Sequence, residues 1–527
     1  MTGILERMDA AAAHGDRVFI IDATTGESIT YAQFHQRASA FAAALAHCGV
    51  VRGDRVAVMG PNCAELAAVY FGCMYLGATI IPLNPNLSRP EIGFILSNSK
   101  PLLAAASSSR QSKLEGQNTP LVVFTPAAEQ APEGDTNLLI GRDGPTDFPR
   151  ARASENDLIS IMYTSGTTSQ PKGLAHRVSS MVENSLAFAG MQGLDESTRF
   201  YSTLSLTYMG GFYNLLMLPF LLGASVVIDR VFEARTALTY WDIASRYQAN
   251  TLWLVPTAMS VIMKMDRGGY GAEYCAAQVR RAFVGFGPLP LKLKQEFESR
   301  YKVPLIENYG LSETLFVSAR TGDRSLGSGY VGEPVPGCRV RIVDDRGAEL
   351  SPAREGEIEV LTAALMEGYL DNAGEIIPSD AATWFPTGDY GYLSIDGSLV
   401  VTGRKKDVII RGGINVSPAA IEEVLRHYSG VIDAAVVSIP HELYGEDIVA
   451  VLRLEPKLEL DEIRQSIAAH AQAYLASHQQ PACYVSIDDF PRTSNGKIQK
   501  AHLRELVMTK FQLRVGAGAQ AMGLNWR

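Results

Sequence analysis

The chain has 527 residues and a mass of 57.1 kDa, with 46% hydrophobic, 20% charged and 8% aromatic residues, which excludes a small stapled module, a disordered chain and a fibrous one. Its 47 basic and 56 acidic residues leave a net charge of −9 and a pI near 5.6, so no broad positive field gathers nucleic acid or anionic lipid. At about 150 residues per unit, the length predicts three or four structural units.

Glu6, Arg7 and Asp9 stand where a secretory signal needs an unbroken apolar stretch, so export is not expected. Cys48, Cys63, Cys73, Cys275, Cys338 and Cys483 form no CxxC pair, which predicts neither a zinc site nor a disulfide framework and fits a reducing cytoplasm. A first strand is expected at 55–59, after the Gly53-Asp54 turn. Segments 66–83 and 204–228 are long and apolar enough to suggest membrane spans. Each breaks at a Leu-Gly-Ala step, at 76–78 and at 222–224, and continues as a short β-branched run; Pro82 and Pro219 interrupt them. That pattern reads as buried helix, glycine stop and buried strand, with no membrane span. Its recurrence predicts two similar α/β layers of parallel strands joined by helices. Residues 107–155 read as surface connection with one strand at 121–124.

Next comes YTSGTTSQPKG at 163–173. Hydroxyls at Thr164, Ser165, Thr167 and Thr168 surround Gly166 after an apolar strand, and Lys172 adds a point charge; a loop of this composition can cradle polyphosphate or be a plain polar turn. The usual Gly-x4-Gly-Lys-[Ser/Thr] phosphate loop does not occur. From 327 to 370 short alternating runs, such as 339–343 and 357–361, predict a small antiparallel sheet or barrel. Arg404-Lys405-Lys406-Asp407 is a charge cluster, which by itself reads as a solvated run. Beyond it lies a self-contained α+β pattern: helix 418–426, strands 434–438 and 448–454, helix 460–476 and strand 484–487. Residues 516–527 show no pattern and read as a tail.

Six motifs in order, YTSGTTSQPKG, ENYGLSE at 307–313, WFPTGD at 384–389, GRKKD at 403–407, GGINVSP at 412–418 and PRTSNGK at 491–497, make the chain resemble the adenylate-forming superfamily from about residue 15 to about 507. That group holds acyl-CoA synthetases, nonribosomal peptide adenylation domains and firefly luciferase. The resemblance implies an α/β fold. Two parallel-sheet subdomains and a small β-barrel would make a large N-terminal portion, 1–403, and a smaller mobile α+β domain, 404–515, would precede the 516–527 tail. It implies ATP and Mg²⁺, and the thiol of CoA or of carrier-protein phosphopantetheine as acceptor. A carboxylic acid attacks the α-phosphorus of ATP, pyrophosphate leaves, and the thiol then displaces AMP from the acyl-adenylate.

By the same resemblance, Thr164, Ser165, Gly166, Thr167, Thr168 and Lys172 bind the phosphates, Glu313 holds Mg²⁺, and Lys497 bridges the attacking carboxylate and the adenylate. Tyr309 stacks on adenine, Asp389 and Arg404 hold the ribose, and Gly287 and Ser312 complete the nucleotide site. Lys406 is the hinge, and Gly412 and Gly413 line the pantetheine tunnel. Ser169 replaces a usual glycine. His176, the one histidine beside a motif, reads as structural. Phe286 in GFGPLP departs from the common Gly-Gly-Ala-Pro; with Gly285 and Tyr208 it borders the acyl pocket, where its ring would fill depth, although core packing is an equal reading. Thr207 and Tyr208 stand where amino-acid-loading relatives carry an aspartate. An ammonium would be unpaired there, which favours an uncharged short, medium or compact ring acid. The leading expectation is an acid:CoA ligase, the alternative an enzyme loading a carrier protein; a luciferase-like oxygenase and a non-catalytic nucleotide binder are further readings. Lys497, Glu313, Asp389 and Lys172 together argue against the last.

Overall fold

The structure is a computed structural model that describes residues 8–9, 15–129, 146–148, 154, 156–164, 171–322, 327, 329–441, 443–456, 458–492 and 498–510. Ser165 to Ser169, Lys497 and the 516–527 tail therefore lie outside the described residues.

Two large sheets sandwich a layer of helices. In the first, of eight strands, Leu158–Thr164, Thr79–Leu83, Arg55–Met59, Leu103–Ser107 and Leu121–Phe124 are parallel neighbours in that order. Lys172–Arg177, Gly368–Leu370 and Ile376–Pro378 extend it antiparallel. The second sheet has thirteen strands. Val18–Asp22, Ser225–Ile228, Arg199–Ser202, Thr251–Leu254, Arg281–Val284 and Leu305–Leu311 form its parallel part. From Leu315–Ala319 onward its pairing turns antiparallel through Tyr330–Pro334, Leu399–Arg404, Phe385–Leu393, Gly356–Thr362 and Cys338–Val343. The antiparallel region expected from 327–370 thus continues the second parallel sheet, and its pairings run as an open path among the described residues.

Helix Ala64–Leu76 explains the apolar stretch that mimics a membrane span. All of its residues are buried, because it lies between the two sheets and has no solvent face. Gly77 and Gly223 end the two central helices at φ +67° and +65°, a left-handed turn that costs a Cβ-bearing residue about 1–2 kcal/mol. Strands Thr79–Leu83 and Ser225–Ile228 follow them. Among the described residues no helix is long and apolar enough to cross a membrane. The second helix begins as a π-helix, Gly210–Met217, before tightening at Leu218–Leu222; such wide turns are rare and gather at functional sites.

The C-terminal part builds a five-stranded sheet of Ile414–Val416, Ile409–Arg411, Gly445–Leu454, Val431–His441 and the parallel Cys483–Ser486. Helices Pro418–Arg426, Leu460–Tyr474 and Lys500–Lys510 pack on it over two small cores. Helix Pro418–Arg426 joins both parts of the molecule. Its Glu423 Oε1 accepts the backbone N–H of Leu291, the first residue of helix Leu291–Tyr301, at 2.9 Å. Next to it Glu422 meets Lys500 Nζ at 2.7 Å, and Arg426 meets Asp433, which also meets Arg492, both at 2.9 Å. Burial alone would raise the Glu422 carboxyl, but the Lys500 and Arg426 charges outweigh it and the net shift is downward.

Candidate active site

Four of the six motifs, those at 163–173, 307–313, 384–389 and 403–407, meet at one hairpin, Leu305–Leu311 and Leu315–Ala319, at the seam where the second sheet changes from parallel to antiparallel. Tyr309 leaves its first strand, and Ser312 and Glu313 sit in its turn. Tyr309 OH donates to Asp389 Oδ2 at 2.6 Å, and Arg404 Nε lies 2.8 Å from Asp389 Oδ1. Asp389 is buried on strand Phe385–Leu393, paired directly with Arg404 on the neighbouring strand. Both carboxylate oxygens therefore have protein partners, and the charge cluster at 404–407 is partly spoken for: Arg404 by Asp389, and Lys405 by Glu357 at 2.5 Å. Burial first, then the adjacent Asp389 charge, pushes the Tyr309 phenol well above its ordinary range. Lys406 follows in the short 3-10 turn Lys405–Asp407.

The other end of the hairpin meets the first sheet. Tyr369 OH donates to Glu313 Oε1 at 2.6 Å, and the Lys172 ammonium lies 5.5 Å from the centre of the Tyr369 ring. Burial, followed by the Glu313 charge, pushes the Tyr369 phenol upward. Lys172 opens strand Lys172–Arg177 directly opposite Thr164, so Thr164 and Lys172 form the base of the 165–170 loop. His176 on the same strand is fully buried, and its Nε2 lies 2.6 Å from the Ser312 carbonyl oxygen. A carbonyl only accepts, so Nε2 carries the hydrogen. Nδ1 is buried with no partner among the described residues, and burial lowers the ring pKa to about 4.

Phe286 follows strand Arg281–Val284 with φ +69°, and 39% of it is exposed. It is not a core residue. Its ring lies over Gly210, the first residue of the π-helix, so closely that a Cβ on Gly210 would stand 2.5 Å from the ring. A bulky side chain at positive φ is a genuine outlier. Three of the other Cβ-bearing positive-φ residues, Lys100, Gln248 and Lys302, sit at or just beyond helix ends, where that conformation closes the last turn. Gly285 is buried at the end of the strand, Gly287 is exposed, and Tyr208 is partly exposed. Thr207 is buried, its hydroxyl 2.8 Å from that of Ser205.

Gly412 and Gly413, at φ +59° and +81°, form the two-residue turn between strands Ile409–Arg411 and Ile414–Val416. The sequence pattern does not predict the two short strands that flank this turn. The turn is flanked by exposed Ile410, Ile414, Leu443 and Tyr444. The sequence reading also missed Tyr369; the only signal was an aromatic residue within the short Gly-Tyr-Leu run at 368–370.

Among the described residues no three His, Cys, Asp or Glu side chains gather into a metal cage.

Residues 8–370 match the family model for AMP-binding enzymes, and residues 420–497 match that for the AMP-binding enzyme C-terminal domain. A fatty acid–[acyl-carrier-protein] ligase, ScoC, of Streptomyces coeruleorubidus is 31% identical over 502 residues, covering 91% of this chain and 92% of that one. An indoleacetate–CoA ligase of Aromatoleum aromaticum is 30% identical, covering 92% of this chain and 94% of that one. An anthranilate CoA ligase, AuaEII, in complex with anthranoyl-AMP superposes with a TM-score of 0.86 at 24% identity, covering 97% of this chain and 98% of that one.

Proposed function

The chain belongs to the AMP-binding enzyme family, and from that premise we propose that it activates an uncharged carboxylic acid as its acyl-adenylate and transfers the acyl group to the thiol of CoA. It is an AMP-forming acid–thiol ligase that binds ATP. The observation that carries the residue assignments is that one hairpin, 305–319, meets Asp389 through Tyr309 at one end and Lys172 through Tyr369 and Glu313 at the other. A nucleotide laid along it puts its ribose near Asp389 and Arg404 and its phosphates near Lys172.

In the first half-reaction the acid's carboxylate attacks the α-phosphorus and the bond to pyrophosphate breaks. Negative charge grows on the leaving phosphates, and pre-placed cations and N–H donors stabilise it. Lys172 and the loop residues Thr164, Ser165, Gly166, Thr167 and Thr168 serve there, and Lys497 serves at the attacking carboxylate. Glu313 would hold Mg²⁺, which would further neutralise the phosphate charge. Ser312 and Gly287 border the nucleotide, and Tyr309, anchored by Asp389, presents its ring to adenine. In the second half-reaction a thiol replaces AMP at the acyl carbon, with Gly412 and Gly413 beside the pantetheine arm and Lys406 at the pivot between the 1–403 and 404–515 portions. Phe286, with Gly285 and Tyr208, closes the acid pocket and favours a short, medium or compact ring acid.

A second reading, transfer to the phosphopantetheine of a carrier protein, is favoured by the 31% identity to a ligase of that kind. Pyrophosphate release from ATP, measured with short-chain, long-chain, aromatic and amino acids, separates the two. Sustained release only with CoA establishes the CoA ligase. A single turnover with CoA that becomes sustained with a pantetheinylated carrier establishes the alternative, and silence with every acid overturns both.

A further inference from the structure

The phosphate end of the site holds a cation and an anion that do not pair with each other directly. Lys172 and Glu313 come from different sheets, and a single side chain, Tyr369, touches both: its ring carries the Lys172 ammonium at 5.5 Å and its hydroxyl donates to Glu313 at 2.6 Å. Lys172 is exposed and Glu313 half-buried, so water moderates their attraction, but a contact ion pair would still neutralise both before any nucleotide arrived. An aromatic face holds an ammonium without taking its charge. A neutral phenol donor holds one carboxylate oxygen while adding no positive charge to compete with a metal ion.

Tyr369 is also rigidly mounted. Strand Gly368–Leu370 pairs with the strand that starts at Lys172, with Tyr369 opposite Leu174 and Gly368 opposite Ala175. Glu367 N–H donates to the Ala175 carbonyl at 2.8 Å, and the Glu367 carboxylate pairs with Arg177. On the hairpin side, Met366 N–H donates to the Glu313 carbonyl at 2.7 Å. The segment carrying Tyr369 is therefore stitched to both sheets on either side of the two charges it separates.

We propose that Tyr369 is a positioning residue that keeps Lys172 and Glu313 apart and separately available, Lys172 for the phosphates and Glu313 for the metal accompanying them. The inference rests on the ATP-dependent reading above. Two variants divide its two contacts. Tyr369→Phe keeps the ring under Lys172 and removes the hydroxyl from Glu313; Tyr369→Leu removes both.

Equilibrium binding of ATP is measured by calorimetry with Mg²⁺ and with EDTA, beside the Mg²⁺ dependence of pyrophosphate release and the conversion of supplied acyl-adenylate to thioester. Tyr369→Phe is expected to weaken Mg²⁺–ATP binding and raise the half-activating Mg²⁺ concentration by about 10-fold, the usual loss when a metal ligand's outer partner goes. Its ATP binding in EDTA and its thioester formation should stay within about two-fold of the parent. Tyr369→Leu is expected to weaken ATP binding in EDTA as well, because Lys172 is released to pair with Glu313. A Tyr369→Phe protein with parental Mg²⁺ dependence, or with equal losses in Mg²⁺ and in EDTA, overturns the proposal. If the parent protein itself fails to bind ATP, the ligase reading falls and takes this inference with it.

Discussion

At the scale of single residues, His176 shows how burial turns a side chain of no catalytic use into a pH-sensitive part of the site. Its ring pKa falls from 6.5 to about 4 on folding, chiefly through burial, with the Ser312 carbonyl opposing. The unfolded chain takes up a proton at His176 below pH 6.5 and the folded chain does not until near pH 4, so stability falls as pH falls through that window. The loss is about 3 kcal/mol by linkage, and it falls on the Ser312–Glu313 turn. His176→Gln, which keeps a donor toward Ser312, should flatten urea midpoints between pH 6.5 and pH 4; an unchanged slope sinks this account. Chemistry at this scale was partly legible. Lys172 stands in a loop whose composition suits polyphosphate, while Glu313, Tyr309 and Asp389 were picked out through the resemblance of the ordered motifs to the adenylate-forming superfamily. Tyr369 and the His176–Ser312 contact were not, because each depends on a strand from one sheet meeting a turn from the other, 56 residues away for Tyr369 and Glu313 and 136 for His176 and Ser312.

At the scale of elements, the loop after strand Arg281–Val284 and the π-helix Gly210–Met217 form one unit. Phe286 holds a left-handed backbone that costs about 1–2 kcal/mol, and its ring occupies the space that only a glycine at 210 leaves open. Phe286→Gly relieves the strain and empties that volume. The ratio of kcat/KM for a larger acid over a compact one should then rise about ten-fold, within the range that pocket volume controls. An unchanged acid order in Phe286→Gly removes the pocket role. The sequence marked Phe286 as odd against its resemblance but could not choose between core and pocket; its 39% exposure speaks against core packing. Element types were legible wherever periodicity was strong. The helix–glycine–strand units at 64–83 and 210–228 and most of the C-terminal elements stand close to where the pattern puts them. The Ile409–Val416 hairpin escaped because two three-residue strands leave too short an alternation to read.

At the scale of the whole molecule, the proposed division puts Lys497 in the 404–515 portion and the nucleotide residues other than Arg404 in 1–403, so the proposed chemistry depends on where the smaller portion sits. Lys497→Ala should lower acyl-adenylate formation by about 10²-fold or more, the usual loss of a donor to developing charge. Conversion of supplied acyl-adenylate to thioester should persist. Equal loss in both assays would contradict a mechanism in which the domain turns Lys497 away between steps.

The contact between Glu423 and Leu291 gives that turning an energetic weight. A carboxylate on the first N–H of a helix is a borrowed cap, worth about 1 kcal/mol, and helix Leu291–Tyr301 has no side-chain cap of its own, since Pro290 precedes it. In the proposed two-step reading, rotation of the C-terminal part would withdraw Glu423 and leave that N–H to water. The orientation described here is thereby favoured about five-fold in population over one that is otherwise equal. In the proposed two-step reading a bias of this size is one that a bound thiol or adenylate outweighs, and Glu423 adds it to the other contacts of this orientation, such as Ser417 Oγ on the Thr402 carbonyl.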